Sequence, residues 1–400
     1  MRLRQKLVWI GLLYFAEGLP FGLVYDVWPV YFRTYGLSLT AIGLMSLLSL
    51  PWTLKLLWAP AVDRFGQRQH WMSAALVVLG AASLLLPHLD PAHPGLALWV
   101  LMFLFTVASA TQDIAIDAYA VDLAAPGEEG AINGLRVTAA RVALLLGGGG
   151  LITAAGWWGF PPLFYGVGIL FWLLALVAWK SPRIPLDPTR RKLVLQPFLR
   201  WLVRPRMIPV LAFTLLFKLG DSTLGRMVKP FWVDRGYSLE EIGLISVTLG
   251  TLLTILGALA GGWFTTRFGI FSGLLWLGLL QMLSNLGYVA VAALPLPRES
   301  IYLASAFESF TQGLGTAAFL SFLMSQCEKE HAATQYALLS ATFALSRDLL
   351  GAFSGLGVDT LGYATYFALT TALALPGLLL LWPLRRVLAE EKPETLSETW

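Results

Sequence analysis

Long apolar runs alternate with short polar connections along almost the whole chain. A helix needs about 20 mostly apolar residues to cross the hydrocarbon of a bilayer. The pattern predicts twelve such segments, at about 7–32, 40–60, 71–87, 97–122, 131–156, 161–180, 207–233, 240–264, 270–295, 301–327, 332–357 and 362–384. The predicted fold class is an all-α polytopic membrane protein of 12 transmembrane helices. Lys and Arg concentrate at the termini and in the even-numbered connections, from Arg2, Arg4 and Lys6 through Arg64, Arg68, Lys180, Arg183 and Arg190 to Arg385 and Arg386. The other connections hold only Arg33, Arg235 and Arg298. By the positive-inside rule, both termini are expected in the cytoplasm. The basic start MRLRQK followed by an apolar run looks like a signal peptide, but Glu17 and Pro20 interrupt it and no small-residue cleavage site follows. It reads as a retained first span.

A repeat divides the twelve segments six and six. GLSLTAIGLMS at 36–46 matches GYSLEEIGLIS at 236–246, and Thr111-Gln112 recurs as Thr311-Gln312. With six spans per repeat, both copies have the same orientation in the membrane, as in a two-bundle secondary transporter whose site lies between the halves at mid-depth. The expected organisation is an N-terminal six-helix bundle at 1–180, a basic, proline-rich cytoplasmic linker at 181–206, a C-terminal six-helix bundle at 207–388 and a polar cytoplasmic tail at 389–400.

Composition agrees and removes other classes. The chain is 57% hydrophobic and 13% charged, with a mean hydropathy of +0.68, far from a soluble single-core domain. The net charge of +4 follows from the loop bias and is no nucleic-acid signature. Cys327 is the single cysteine, so no intramolecular disulfide forms. His70, His88, His93 and His331 lack metal-ligand spacing. Gly147 to Gly150 lack the Lys-Ser or Lys-Thr of a phosphate loop and read as close helix packing. No nucleophile-base constellation is visible, so the chain is not expected to be an enzyme, and neither metal nor cofactor is expected.

The informative residues are the charges inside the apolar segments, which are expensive in a bilayer without a partner or a wet cavity. Asp113 and Asp117, four apart, share one helix face. Reading depth at about 1.5 Å per residue pairs Asp113 with Arg141 and Asp117 with Lys55. Glu17 falls at similar depth, beside an expected break at Gly18-Leu19-Pro20. In the second half, Glu308 and Arg347 lie at like depth. Lys218 and Asp221 share a face near the centre of a span, whereas Arg226 and Lys229 have snorkelling to the interface as an alternative to lining a cavity. A carboxylate that alternately meets Arg and water loads and unloads a proton. Asp113, with Arg141, is the principal candidate for coupling to a proton gradient; Glu17, Glu308, Asp117 and Asp221 are the others. Arg141, Lys218 and Arg347 are candidates for binding an anionic substrate. Gln112, Gln312, Tyr14, Tyr25 and Trp28 could meet sugar hydroxyls or rings, with packing as the alternative for each. Asp63 and Arg64 are expected to latch the cytoplasmic side by pairing near Asp122 or Arg136.

Asp63-Arg64-Phe65-Gly66 resembles the loop signature of the major facilitator superfamily. KLLWAPAVDR at 55–64, ATQDIAIDAY at 110–119, LFKLGDS at 216–222, FESFTQGLGTAAFLSFLM at 307–324 and ATQYALLSATFALSR at 333–347 look like the AmpG-type muropeptide permeases, to which the acetyl-CoA transporter family is related. The resemblance implies proton-driven import of sugars joined to short peptides through anhydro-muramic acid, across a bacterial cytoplasmic membrane. Two departures touch the cavity: Ala120 stands where better-known relatives carry lysine, and Glu17 and Asp26 stand where small residues are expected. The reading is a monomeric or weakly associated carrier with a small-molecule substrate and membrane lipid as its partners, and no nucleic acid. Alternatives are another cargo on the same fold (a drug, a siderophore-like compound or an acyl-CoA) and, from another class, a membrane receptor or enzyme.

Overall fold

The computed structural model describes residues 1–125, 128–183, 207–327 and 332–390, and among them there is helix but no strand. The helical segments are α1 (Leu3–Thr34), α2 (Leu39–Leu54), α3 (Arg68–His88), α4 (Leu96–Leu123), α5 (Gly134–Trp158), α6 (Phe160–Trp179), α7 (Met207–Asp234), α8 (Leu239–Phe268), α9 (Ile270–Ala293), α10 (Ser300–Ser325), α11 (Ala332–Gly351) and α12 (Ser354–Arg385). Among the described residues, nine are long and apolar enough to cross a membrane. The other three predicted spans fall on α2, which is short, and on α10 and α11, which have the length but carry more polar residues. The chain is a multi-pass helical membrane protein.

Among the described residues six glycines have positive φ, and they form three pairs: Gly36 with Gly236, Gly66 with Gly269, and Gly159 with Gly362, separated by 200, 203 and 203 residues. Each pair marks the same junction in the two halves, so the internal repeat is written in backbone conformation as well as in letters. After Gly36 and Gly236 the next helix starts alike. Ser38 Oγ accepts from the Ala41 N–H and Ser238 Oγ from the Glu241 N–H, both at 3.2 Å, and the second site completes a capping box through Glu241. Gly362 falls within the range given for α12, where its non-helical backbone is the junction between the helix that ends before it and the one that follows.

By its contacts the chain forms two compact units, Met1–Arg191 with Lys229–Thr248, and Lys192–Val228 with Leu249–Trp400. In the first, small residues let backbones approach. A Cβ added at Gly18 would lie 2.7 Å from Ala140 O, and one at Gly22 would lie 2.6 Å from the carbonyl carbon of Gly147. That contact, between α1 and α5, accounts for the four-glycine run, which forms a π-helical turn. The segment Lys229–Thr248 joins this unit through ion pairs: Lys229 Nζ meets Asp26 Oδ1 at 2.9 Å, and Arg33 grips Asp234 with two nitrogens. Pro20 does not break α1 as expected. The helix runs on through it and takes up the change in a π turn at Leu23–Val27. In the second unit, Phe213, Phe217, Phe319 and Phe322 centre an apolar core shared by α7, α9 and α10.

Candidate functional site

The first unit gathers five of its charged residues, Glu17, Lys55, Asp113, Asp117 and Arg136, in one cluster. Single carboxylate oxygens of Glu17 on α1 and of Asp113 and Asp117 on α4 all lie within 4.8 Å of one another. Lys55, just beyond α2, donates to Asp113. Arg136 Nη2 reaches Asp117 Oδ1 at 2.7 Å, and the Tyr14 hydroxyl donates to the same oxygen at 2.8 Å. The Arg136 guanidinium also lies over the Tyr14 ring, 4.8 Å from its centroid. Glu17 Oε2 is buried and has no hydrogen-bond partner among the described residues. Three acids against two cations leave one formal negative charge in excess, a state that burial penalises and a single proton would neutralise. Three carboxylates at this separation are also a geometry that metal ions use, but the two cations within the same cluster oppose a further positive charge.

The partners differ from those read from depth along the segments. Asp113 meets Lys55 and not Arg141, which is exposed, and Asp117 meets Arg136 and not Lys55. The two aspartates are one helical turn apart, so an error of a few residues in a segment's end exchanges their partners. The second span supplies such an error: around Pro51 and Pro60 it is a series of short α and 3₁₀ pieces, Leu39–Leu44, Met45–Ser49, Leu50–Leu54, Lys55–Leu57 and Ala59–Arg64, without a uniform rise. Asp122 pairs with Arg68 at 3.5 Å, and Arg136 is engaged by Asp117. The side chains of Asp63 and Arg64 lie outside the described residues, as does most of the linker at 181–206 and the tail from 391.

Other candidates divide into packing and platform. Trp28 is buried, with its ring 5.2 Å from that of Phe105, and lines a small apolar pocket with Leu23, Ala82 and Phe164. Gln112 is wholly buried, and both amide atoms lack a partner among the described residues. Tyr25 is half-buried and stacks with two rings that the sequence reading passed over, Phe21 and Trp52. Their signal was present, because Phe21 and Tyr25 continue the four-residue spacing from Glu17.

The second unit has its own buried polar groups. Lys218 Nζ donates to Gln281 Oε1 at 2.9 Å and to the Gln312 carbonyl at 3.4 Å, and lies 3.5 Å from Asp221 Oδ2. Asp221, Gln281 and Asn285 line a small cleft with Phe217, Gly278 and Ala374. Glu308 is buried on α10, with Ser309 Oγ 3.5 Å away. Arg347 pairs with its neighbour Asp348, at 3.0 Å, and Asp348 also receives Arg226 at 2.9 Å. Asp348 was missed by sequence reading, although a second charge beside Arg347 in an apolar segment marked it. Arg226 and Lys229 do not snorkel; each is spent on a buried aspartate, Asp348 and Asp26.

Outside the membrane segments, Glu128 accepts from Lys6 at 2.6 Å and from the Ala125 N–H at 3.0 Å, which together hold its carboxyl below the ordinary value.

Long apolar helices among the described residues, an internal repeat and charges gathered inside an apolar fold are the build of a polytopic membrane transporter. The sequence pattern of the Major Facilitator Superfamily matches residues 10–347. The anhydromuropeptide permease of Escherichia coli is 32% identical over 388 residues, covering 94% of this chain and 79% of the relative. The putative transporter AmpG 4 of Rickettsia conorii is 26% identical, covering 94% and 95%. Among solved structures, a bacterial homologue of the human lysosomal transporter Spinster matches with a TM-score of 0.77 at 16% identity, covering 98% of this chain and 99% of that one, a likeness of fold. The chain belongs to the major facilitator superfamily, within its AmpG-type permeases.

Proposed function

We propose that the chain is a proton-coupled carrier that imports anhydromuropeptides, or closely similar sugar-peptides, by alternating access across a bacterial cytoplasmic membrane, with both termini in the cytoplasm. The substrate class rests on the named relative at 32% identity. The energy source is the proton gradient alone, and the chain acts as a carrier and not as an enzyme.

The observation that carries the coupling is the unpartnered Glu17 Oε2 beside Asp113 and Asp117. Lys55 and Arg136 answer the two aspartates. Glu17 is therefore the acid whose charge is unmatched, and a better candidate for the proton than Asp113, the first choice from sequence. With a proton on Glu17 the cluster is neutral and can be enclosed at low cost; with the proton released it carries a net charge that favours contact with water. Alternation between those two states links proton movement to opening and closing.

The test is uptake of labelled anhydromuropeptide into vesicles, with and without a pH gradient, by the wild type, Glu17→Gln and Asp113→Asn. Glu17→Gln is expected to keep substrate counterflow and to lose accumulation driven by the gradient. Unchanged gradient-driven accumulation in Glu17→Gln would remove Glu17 from the coupling role.

A further inference from the structure

Phe21 and Tyr25 on α1 and Trp52 on α2 form a set of nearly parallel rings. Phe21 and Trp52 have centroids 4.6 Å apart at 23°, Tyr25 and Trp52 5.9 Å apart at 27°, and Phe21 and Tyr25 6.1 Å apart at 8°. All three are half-buried, unlike Tyr14, Trp28, Tyr31 and Phe32, which are sealed in the core. They do not face lipid with the exposed apolar residues of α1, because Val8 and Leu12 lie on another stripe of that helix. Glu17, Phe21 and Tyr25 follow one another at four-residue steps, and Trp52 lies three residues before Lys55. The rings therefore continue, along the same two segments, the surface that carries the Glu17 and Lys55 charges.

We infer that these three rings are the platform for a pyranose ring of the substrate, a subsite that rests on the sugar-peptide reading above. A pyranose has one face of C–H groups and an edge of hydroxyls. The negative face of an aromatic ring attracts polarised C–H groups, and flat rings held in parallel meet a flat sugar face at little entropic cost. The neighbouring carboxylate and ammonium suit the hydroxyl edge. The indole N–H of Trp52, buried and without a hydrogen-bond partner among the described residues, adds a donor for a ring substituent. A purely apolar ligand would leave these polar neighbours unused, and the peptide portion of the substrate has no need of a flat face.

The experiment uses the full chain in lipid nanodiscs and titration calorimetry with three probes: an anhydromuropeptide, its sugar portion freed of peptide, and the free peptide. Trp52→Leu and, separately, Phe21→Leu are expected to weaken both sugar-containing probes by about tenfold or more, with any affinity for free peptide unchanged, while Trp52→Phe keeps most of the binding. Melting temperatures of the variants check that each is folded, and Phe21→Leu carries the test if Trp52→Leu is not. Wild type that binds neither sugar-containing probe overturns the sugar-peptide reading and the platform with it. Wild type that binds, with folded leucine variants that bind equally well or lose sugar and peptide alike, overturns the platform alone.

Discussion

Arg226 donates to Asp348 at 2.9 Å, and the Asp348 side chain is 0% exposed. Removing the charge of Asp348 leaves Arg226 and Arg347 partly buried around a neutral amide, and breaking a buried pair from one side costs about 3–5 kcal/mol. Asp117→Asn removes an ion pair whose side chains are 38% and 33% exposed, where solvent screening limits the contribution to about 1 kcal/mol or less. Thermal unfolding in one detergent should therefore rank Asp348→Asn well below Asp117→Asn, although Asp117 sits closer to the proposed chemistry. Equal losses would contradict this division between structural and functional acids.

The legible part of this protein was whatever depends on pattern along the chain. Hydrophobic runs placed the helices, and the 200-residue offset of GLSLTAIG and GYSLEEIG marks two stretches whose first residues, Gly36 and Gly236, share a conformation. The four-residue step from Asp113 to Asp117 placed both acids in one cluster. Partner choice was not legible. Lys55 reaches Asp113 and Arg136 reaches Asp117 because α2 is broken into short turns and adjacent helical turns compete for the same acids, neither of which a constant rise per residue can represent. Asp348 escaped for a different reason: residues i and i+1 on a helix do not face each other, so its pairing with Arg347 is not a spacing signal.

The contact of α1 with α5 predicts opposite outcomes for two glycines. A Cβ at Gly22 would stand 2.6 Å from the Gly147 carbonyl carbon and 2.7 Å from Gly148 N, backbone atoms that cannot turn aside. Gly22→Ala should cost at least the roughly 1–3 kcal/mol of an overpacked core. Gly134, on α5, has nothing within 4 Å of the same atom, so Gly134→Ala should be neutral or stabilising by up to about 1 kcal/mol through helix propensity. Melting temperatures of the two variants check the pair, and a harmless Gly22→Ala would mean that the helices are not packed as described.

Acid sensitivity should reside partly in the link between Lys6 and Glu128. Because Lys6, and then the Ala125 N–H, lower the carboxyl of Glu128 in the folded state, this contribution to stability is fully present above the ordinary value of 4.5 and is lost as pH falls through the lower folded value. Glu128→Gln should flatten the decline of stability on acidification below about pH 4.5, the ordinary carboxylate value, and leave the profile above it nearly parallel to wild type. A steeper acid limb in Glu128→Gln would reverse the sign and refute the assignment.

Lys229 and Asp26 offer the cleanest measurement of what a buried ion pair does in this fold. Their atoms are 2.9 Å apart, and the Asp26 side chain is 9% exposed and seated against Gly148. Lys229→Met alone strands a carboxylate where water cannot solvate it, and should cost about 3 kcal/mol or more. Adding Asp26→Asn removes that stranded charge and should recover much of the loss, giving a coupling energy of about 0.5–3 kcal/mol in a double-mutant cycle. The same cycle read by counterflow separates structure from transport: if the double variant regains stability but not exchange, the charges themselves serve the moving carrier. Strict additivity in stability would show that Lys229 and Asp26 do not depend on one another, and that something else holds the end of α7 beside α1.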